Sequence, residues 1–135
     1  MGSRSLFVAD DREEALHLAD IGLRRAAARF AAAVLPGQAP RPGPQAPLAE
    51  LIAAYDVHVG TPDDVIASLQ ADTALARTTD IVFQVHSVDP PHEHILRSIE
   101  LTATQVAPAL GWVRKPVSAP STLAPSPAER TPEPA

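Results

Sequence analysis

Cysteine is missing altogether, which excludes disulfides, thiolate metal sites and a cysteine nucleophile and fits a cytoplasmic protein. Aromatic residues make up only 4% of the chain, and much of its apolar content is alanine, so few large side chains can anchor a core. No apolar run approaches the roughly 20 residues of a membrane-spanning helix. The opening residues MGSRSLFVADD carry no apolar stretch of the length a secretory leader needs. Basic charge is in deficit. A net charge of −5 argues against nucleic acid, whose phosphates demand clustered Lys and Arg. The one basic cluster, Arg24, Arg25 and Arg29, lies on a helix whose first turn is acidic. It reads either as a solvated face or as a phosphate patch.

What is present suits one domain, since 135 residues fall within the usual range of a single core. From Arg114 to Ala135 the chain is rich in Pro, Ala, Ser and Thr with few large apolar side chains. Such a stretch cannot bury enough surface to offset the entropy of ordering it, which predicts a disordered tail over 114–135. A structured domain is expected over 1–113, interrupted by a Pro-rich loop at 36–47.

Within that domain the periodicities name most elements. Leu6–Ala9 is a short apolar run of strand type. Asp10 or Asp11 caps the helix that follows, with Glu13 and Glu14 in capping-box position. That helix is expected to reach about Leu35 and to bury Leu16, Ala19, Leu23, Ala26, Phe30 and Ala33. Pro47 suits the first position of a short helix bearing Leu48, Leu51, Ile52 and Tyr55. Val57–Gly60 leads into Thr61-Pro62-Asp63-Asp64, a strong helix start with Thr61 as cap and acids in the first turn. Val65, Ile66, Leu69 and Leu75 supply that helix with a buried face to about Ala76.

Asp80–His86 is dense in β-formers. Strand alternation sets Ile81, Phe83 and Val85 on one face and Val82, Gln84 and His86 on the other. A last helix opens near Asp89 to Pro91, with Ile95, Ile99, Ala103 and Val106 on its apolar side, and closes by Pro108 and Gly111 near Trp112. The alternation of strands with helices predicts an α/β fold of right-handed β/α units.

The densest polar group is His86, Asp89, His92, Glu93 and His94. As chemistry it would supply zinc ligands or a general base. However, His92 and His94 are two residues apart at a helix start, so they diverge rather than share the face a helical metal site needs. No metal site is assigned. Gln84 and His86 share the C-terminal end of a strand, where a barrel's ligand mouth would lie; the bland reading is two polar side chains meeting solvent. Dinucleotide, P-loop, nucleophile-elbow and HExxH patterns are absent.

Three segments in order carry a resemblance: Gly60-Thr61-Pro62-Asp63-Asp64-Val65; the strand Asp80–Val85; and Pro91-His92-Glu93 leading through Leu96-Arg97-Ser98-Ile99-Glu100-Leu101 to Val106-Ala107-Pro108-Ala109-Leu110. Together with the opening Leu6–Glu14, this resembles the C-terminal end of the luciferase-like, flavin-dependent monooxygenases. That resemblance implies the last units of an incomplete (β/α)8 TIM barrel. It implies a flavin cofactor (FMN) or a deazaflavin, a small organic substrate, and oxygen activation or hydride transfer. Gln84 and His86 become barrel-mouth residues under it. Thr78 stands at a turn where the family commonly has Gly.

A whole barrel takes about 250 residues, so this chain holds only the closing units and lacks a complete active site by itself. Either self-association or a partner chain supplying the missing barrel strands is then expected. The other readings are a non-catalytic helical interaction domain, or a subunit that completes a flavoenzyme in trans.

Overall fold

The computed structural model describes residues 1–30, 40–85 and 87–112. Its centre is a three-stranded parallel sheet, in the order β2-β1-β3. Strand β1 spans Gly2–Val8, β2 spans Val57–Gly60 and β3 spans Ile81–Gln84. The helices are α1 (Arg12–Phe30), α2 (Leu48–Ala54), α3 (Pro62–Ala71), α4 (His92–Leu101) and the one-turn α5 (Ala107–Ala109). The expected α/β class is therefore what the chain adopts. The predicted tail at 114–135 and the expected run of the first helix from residue 31 to about Leu35 lie outside the described residues.

Strand β1 is longer than its apolar run because both halves find partners. Ser5–Val8 align with Val57–Gly60 on one side, and Gly2–Ser5 align with Ile81–Gln84 on the other. Val57–Gly60, read from the sequence only as a lead into a helix, is the second strand. Alternation along β1 divides the core in two. Phe7 and Ala9 pack with Ala15, Ala19, Leu23 and Ala27 of α1 and Leu51 of α2. Leu6 and Val8 pack on the opposite face with Val65 and Leu69 of α3, Leu101 and Val106.

Helices on both faces follow from the strand order. The step from β1 to β2 moves one way across the sheet, and the step from β2 to β3 passes back over β1. Right-handed crossovers then require α1 and α3 on opposite faces. This is the geometry of an open, doubly wound sheet. Consecutive units of a (β/α)8 barrel would instead set β3 beside β2 and all helices on one side. The β1–β2 neighbourhood agrees with barrel order, and the β1–β3 neighbourhood departs from it.

Three local features differ from the periodicity reading, each for a packing reason. Helix α1 buries Ala15, Ala19, Gly22, Leu23 and Ala27, while Phe30 is exposed. The stripe is rotated because Gly22 meets the loop after β3: a Cβ there would lie 1.5 Å from the Val88 carbonyl oxygen. Helix α3 stops at Asp72, whose carboxylate accepts from the Ala74 amide (3.0 Å) and the Arg4 guanidinium (2.6 Å), and Leu75 enters the core from a separate 3-10 turn. The last helix buries Ser98 and Leu101, with Ile99 and Ala103 outside. A π-helical segment at Thr102–Val106 follows, where the Thr102 and Thr104 hydroxyls donate to the carbonyls of Ser98 and Glu100 (2.7 Å each). Its extra residue per turn sets Val106, five places after Leu101, back over the same core. Thr78 has φ −101° and ψ 141°, an extended conformation that needs no glycine.

The helix start after β2 is as the sequence predicts. The Thr61 side chain accepts from the Asp64 amide, and the Asp64 carboxylate accepts from the Thr61 amide at 3.0 Å. Gly60 has φ +145°, and a Cβ there would come within 2.7 Å of Asp64. Only glycine suits that position.

Candidate functional site

In a doubly wound sheet, the place to look for a ligand is outside the carboxyl ends of strands whose connections leave toward opposite faces. Here those strands are β1, which feeds α1 on one face, and β3, which feeds α4 on the other. A crevice of about 260 Å³ lies at the end of β1, lined by Val8, Ala9, Asp10, Glu14, Glu93, His94 and Arg97.

Its charges are largely spent on one another. Arg97 donates through Nε and Nη2 to the two carboxylate oxygens of Asp10, at 2.8 and 2.7 Å, and through Nη1 to Glu100 at 2.8 Å. This fork holds the Asp10 carboxyl below the usual carboxylate range, and the two acids raise Arg97 in turn. His94 is half-buried, with Nδ1 at 4.0 Å from Glu14. Beneath the fork, the buried Ser98 hydroxyl accepts from the Val8 amide at 2.9 Å. That bond ties α4 to the half of β1 that β3 does not reach. The crevice therefore clamps α4 to the sheet.

The polar residues singled out in the sequence are dispersed. Asp89 has φ +50° and pairs with Arg25 at 3.1 Å on α1. His92 and Glu93 are exposed, and His94 turns toward Glu14. His86 lies outside the described residues. Among the described residues, no group of three or more His, Cys, Asp or Glu is placed to hold a metal ion. Gln84 is exposed on the face that it shares with Val82, as alternation requires. It lines a different cleft, alongside Ser5, Tyr55 and the second half of α1.

One buried polar centre had little signal in the sequence. His58 on β2 aligns with Leu6 and so faces α3. Its Nδ1 lies 2.7 Å from the Ser68 hydroxyl, and its Nε2 is buried without a hydrogen-bond partner among the described residues, 3.7 Å from Asp72. Asp72 is itself engaged by Arg4, which holds that carboxyl low. Burial lowers His58 against the pull of Asp56 and Asp72, aided by Arg4. Had Val57–Gly60 been recognised as a strand, alternation would have turned His58 toward the helix-covered face.

A flavin does not fit the crevice at the end of β1. Besides the paired Arg97 and Asp10, this crevice carries Glu14 and Glu93, which oppose a phosphate. Its volume also falls short of the ~300–1,000 Å³ typical of small-molecule pockets. Among the described residues, no helix is long and apolar enough to cross a membrane. No protein-family model matches the chain, and no curated protein matches it.

Proposed function

We propose that this chain represents the closing β/α units of a luciferase-like, flavin-dependent oxidoreductase and is catalytically silent by itself. Support comes from the ordered motifs, each of which falls on a β/α unit of one parallel sheet. Leu6–Glu14 joins β1 to α1, Gly60–Val65 joins β2 to α3, and Asp80–Val85 precedes α4. The observation that carries the silence is the crevice at the sheet's carboxyl end, where Arg97 and Asp10 neutralise each other.

On this reading flavin, substrate and oxygen chemistry belong to an assembly with strands that this chain does not supply. The free edges of β2 and β3, with Val82, Leu96 and Ile99 about half exposed, are where a second copy or a partner chain would add cover. In a completed barrel β3 would move from β1 to the free edge of β2, exchanging four aligned residue pairs.

The test is a titration of the purified chain with oxidised riboflavin, which carries no phosphate, followed by ring fluorescence, alongside sedimentation. Expected are no saturable quenching, no turnover with reduced flavin, and sedimentation faster than a monomer. Stoichiometric quenching by the isolated chain would overturn the proposal. A strictly monomeric, flavin-silent chain would favour the small non-catalytic interaction domain instead.

A further inference from the structure

The basic cluster of α1 divides in the fold. Arg24 is consumed structurally. It pairs with Asp20 at 2.7 Å and donates through Nη1 to the carbonyls of Pro44 and Ala46, at 2.7 and 3.2 Å. In doing so it holds the segment that follows Arg41 against the helix. Arg25 and Arg29, one helical turn apart, line a separate cleft of about 600 Å³ between α1 and the open face of β3. Arg41 joins them, its guanidinium 5.5 Å from the centre of the Tyr55 ring. Gln84 lines the wall formed by β3.

Three arginines therefore line one cleft of a protein whose net charge is −5. Asp89 offsets one of them through Arg25. Arg29 and Arg41 have no acidic partner among the described residues. Like charges gathered without counter-charges repel one another, and an anion relieves that repulsion. Tyr55 also lines the cleft, with its ring beneath Arg41.

We propose that this cleft binds a small phosphomonoester. Its phosphate would sit between Arg29, Arg25 and Arg41, and its polar body would lie against Gln84. A phosphomonoester carries about −1.5 to −2 charges at neutral pH, which matches three arginines less one aspartate. The planar guanidinium fork pairs bidentately with phosphate oxygens, and the doubly charged ester balances the cleft's charge where a single carboxylate would not. The volume is that of a small-molecule pocket. The site is independent of the luciferase-like reading, which places flavin in strands outside this chain.

Calorimetric titration of the full chain with inorganic phosphate and with glycerol 3-phosphate at low salt tests it. Arg29→Gln and Arg41→Gln serve as variants, and Arg77→Gln, outside the cleft, serves as control. Circular dichroism checks that each remains folded; all three positions are exposed. Expected is saturable binding, tighter for the ester, that weakens about tenfold in each cleft variant, is unchanged in the control, and falls with salt. No saturation with either anion, or equal loss in the control, would overturn the proposal. So would tighter binding of a short oligonucleotide than of the ester, which would make the patch a nucleic-acid surface.

Discussion

Replacing Ser98 with alanine removes one oxygen from a site where nothing else can reach. Ser98 is fully buried, and its hydroxyl accepts the Val8 amide at 2.9 Å from across the helix–sheet interface. The register of β3 runs only from Gly2 to Ser5 along β1, so among the described residues no strand lies beside Val8 on that side. Water has no access either, and the amide of the variant is left unpaired. Leaving one buried donor unsatisfied costs about 1–3 kcal/mol. Alanine returns up to roughly 0.7 kcal/mol through better helix propensity, so the net loss is about 0.3–3 kcal/mol. With a urea m-value of about 1–3 kcal/mol/M for a small domain, the unfolding midpoint falls by roughly 1 M while the slope stays constant. Urea titration followed by circular dichroism measures the loss. Amide hydrogen exchange localises it: the Val8 amide should lose protection out of proportion to Phe7, which faces β2. An unchanged midpoint, or equal loss of protection at both amides, would refute the inference that Ser98 stands in for a missing strand.

Gly22→Ala should destabilise by about 2 kcal/mol or more, since its Cβ would sit 1.5 Å from the Val88 carbonyl oxygen and backbone cannot yield cheaply. Gly43→Ala, with open space around it, should stay within about 0.5 kcal/mol; equal thermal shifts in the two variants would show the contact to be unimportant. The pH dependence should have two stages. His58 is lowered from 6.5 by burial, so the unfolded chain takes up its proton first, and stability is full above about pH 6.5 and falls as the pH drops below it. Asp10, Asp64 and Asp72 are lowered from 3.8, chiefly by Arg97, Arg12 and Arg4 respectively, so their contributions persist to about pH 4 and are lost below it. Urea midpoints measured across this range should show the first stage flattened in His58→Gln; a midpoint that is level from pH 7 to 5 in the parent chain would count against it.

How much of this could be read in advance depended on whether the cause was local. The Thr61–Asp64 capping box involves four consecutive residues and is found as the sequence predicts. The alternation of β3 likewise set Gln84 beside Val82 and opposite Phe83, since strand geometry alone decides it. The stripe of α1 was misread because alanine and glycine give a weak periodic signal, and a distant loop at Val88 chose which face would be buried. The face of α4 was misread for a similar reason. Apolar Ile99 looked like core, yet the interface needed the hydroxyl of Ser98.

The candidate sites divide the same way. The clustering of His86, Asp89, His92, Glu93 and His94 was proximity along the chain, and in three dimensions Asp89 turns to Arg25 and His94 to Glu14. The cleft arginines come from α1 and from Arg41, twelve or more residues apart, and Gln84 joins them only because β3 lies beside β1.

By itself, then, the sequence determined the class of fold, the starts of its helices and the absence of thiol chemistry, because each rests on neighbouring residues or on composition. Only the tertiary structure decided the order of the strands. Parallel strands are joined through helices, and nothing in a β/α alternation says on which edge the next strand will dock. Placing β3 on the far edge of β1, rather than beside β2, put helices on both faces of the sheet. That one choice opened the face of β3 next to α1 and gathered Arg25, Arg29, Arg41 and Gln84 around it.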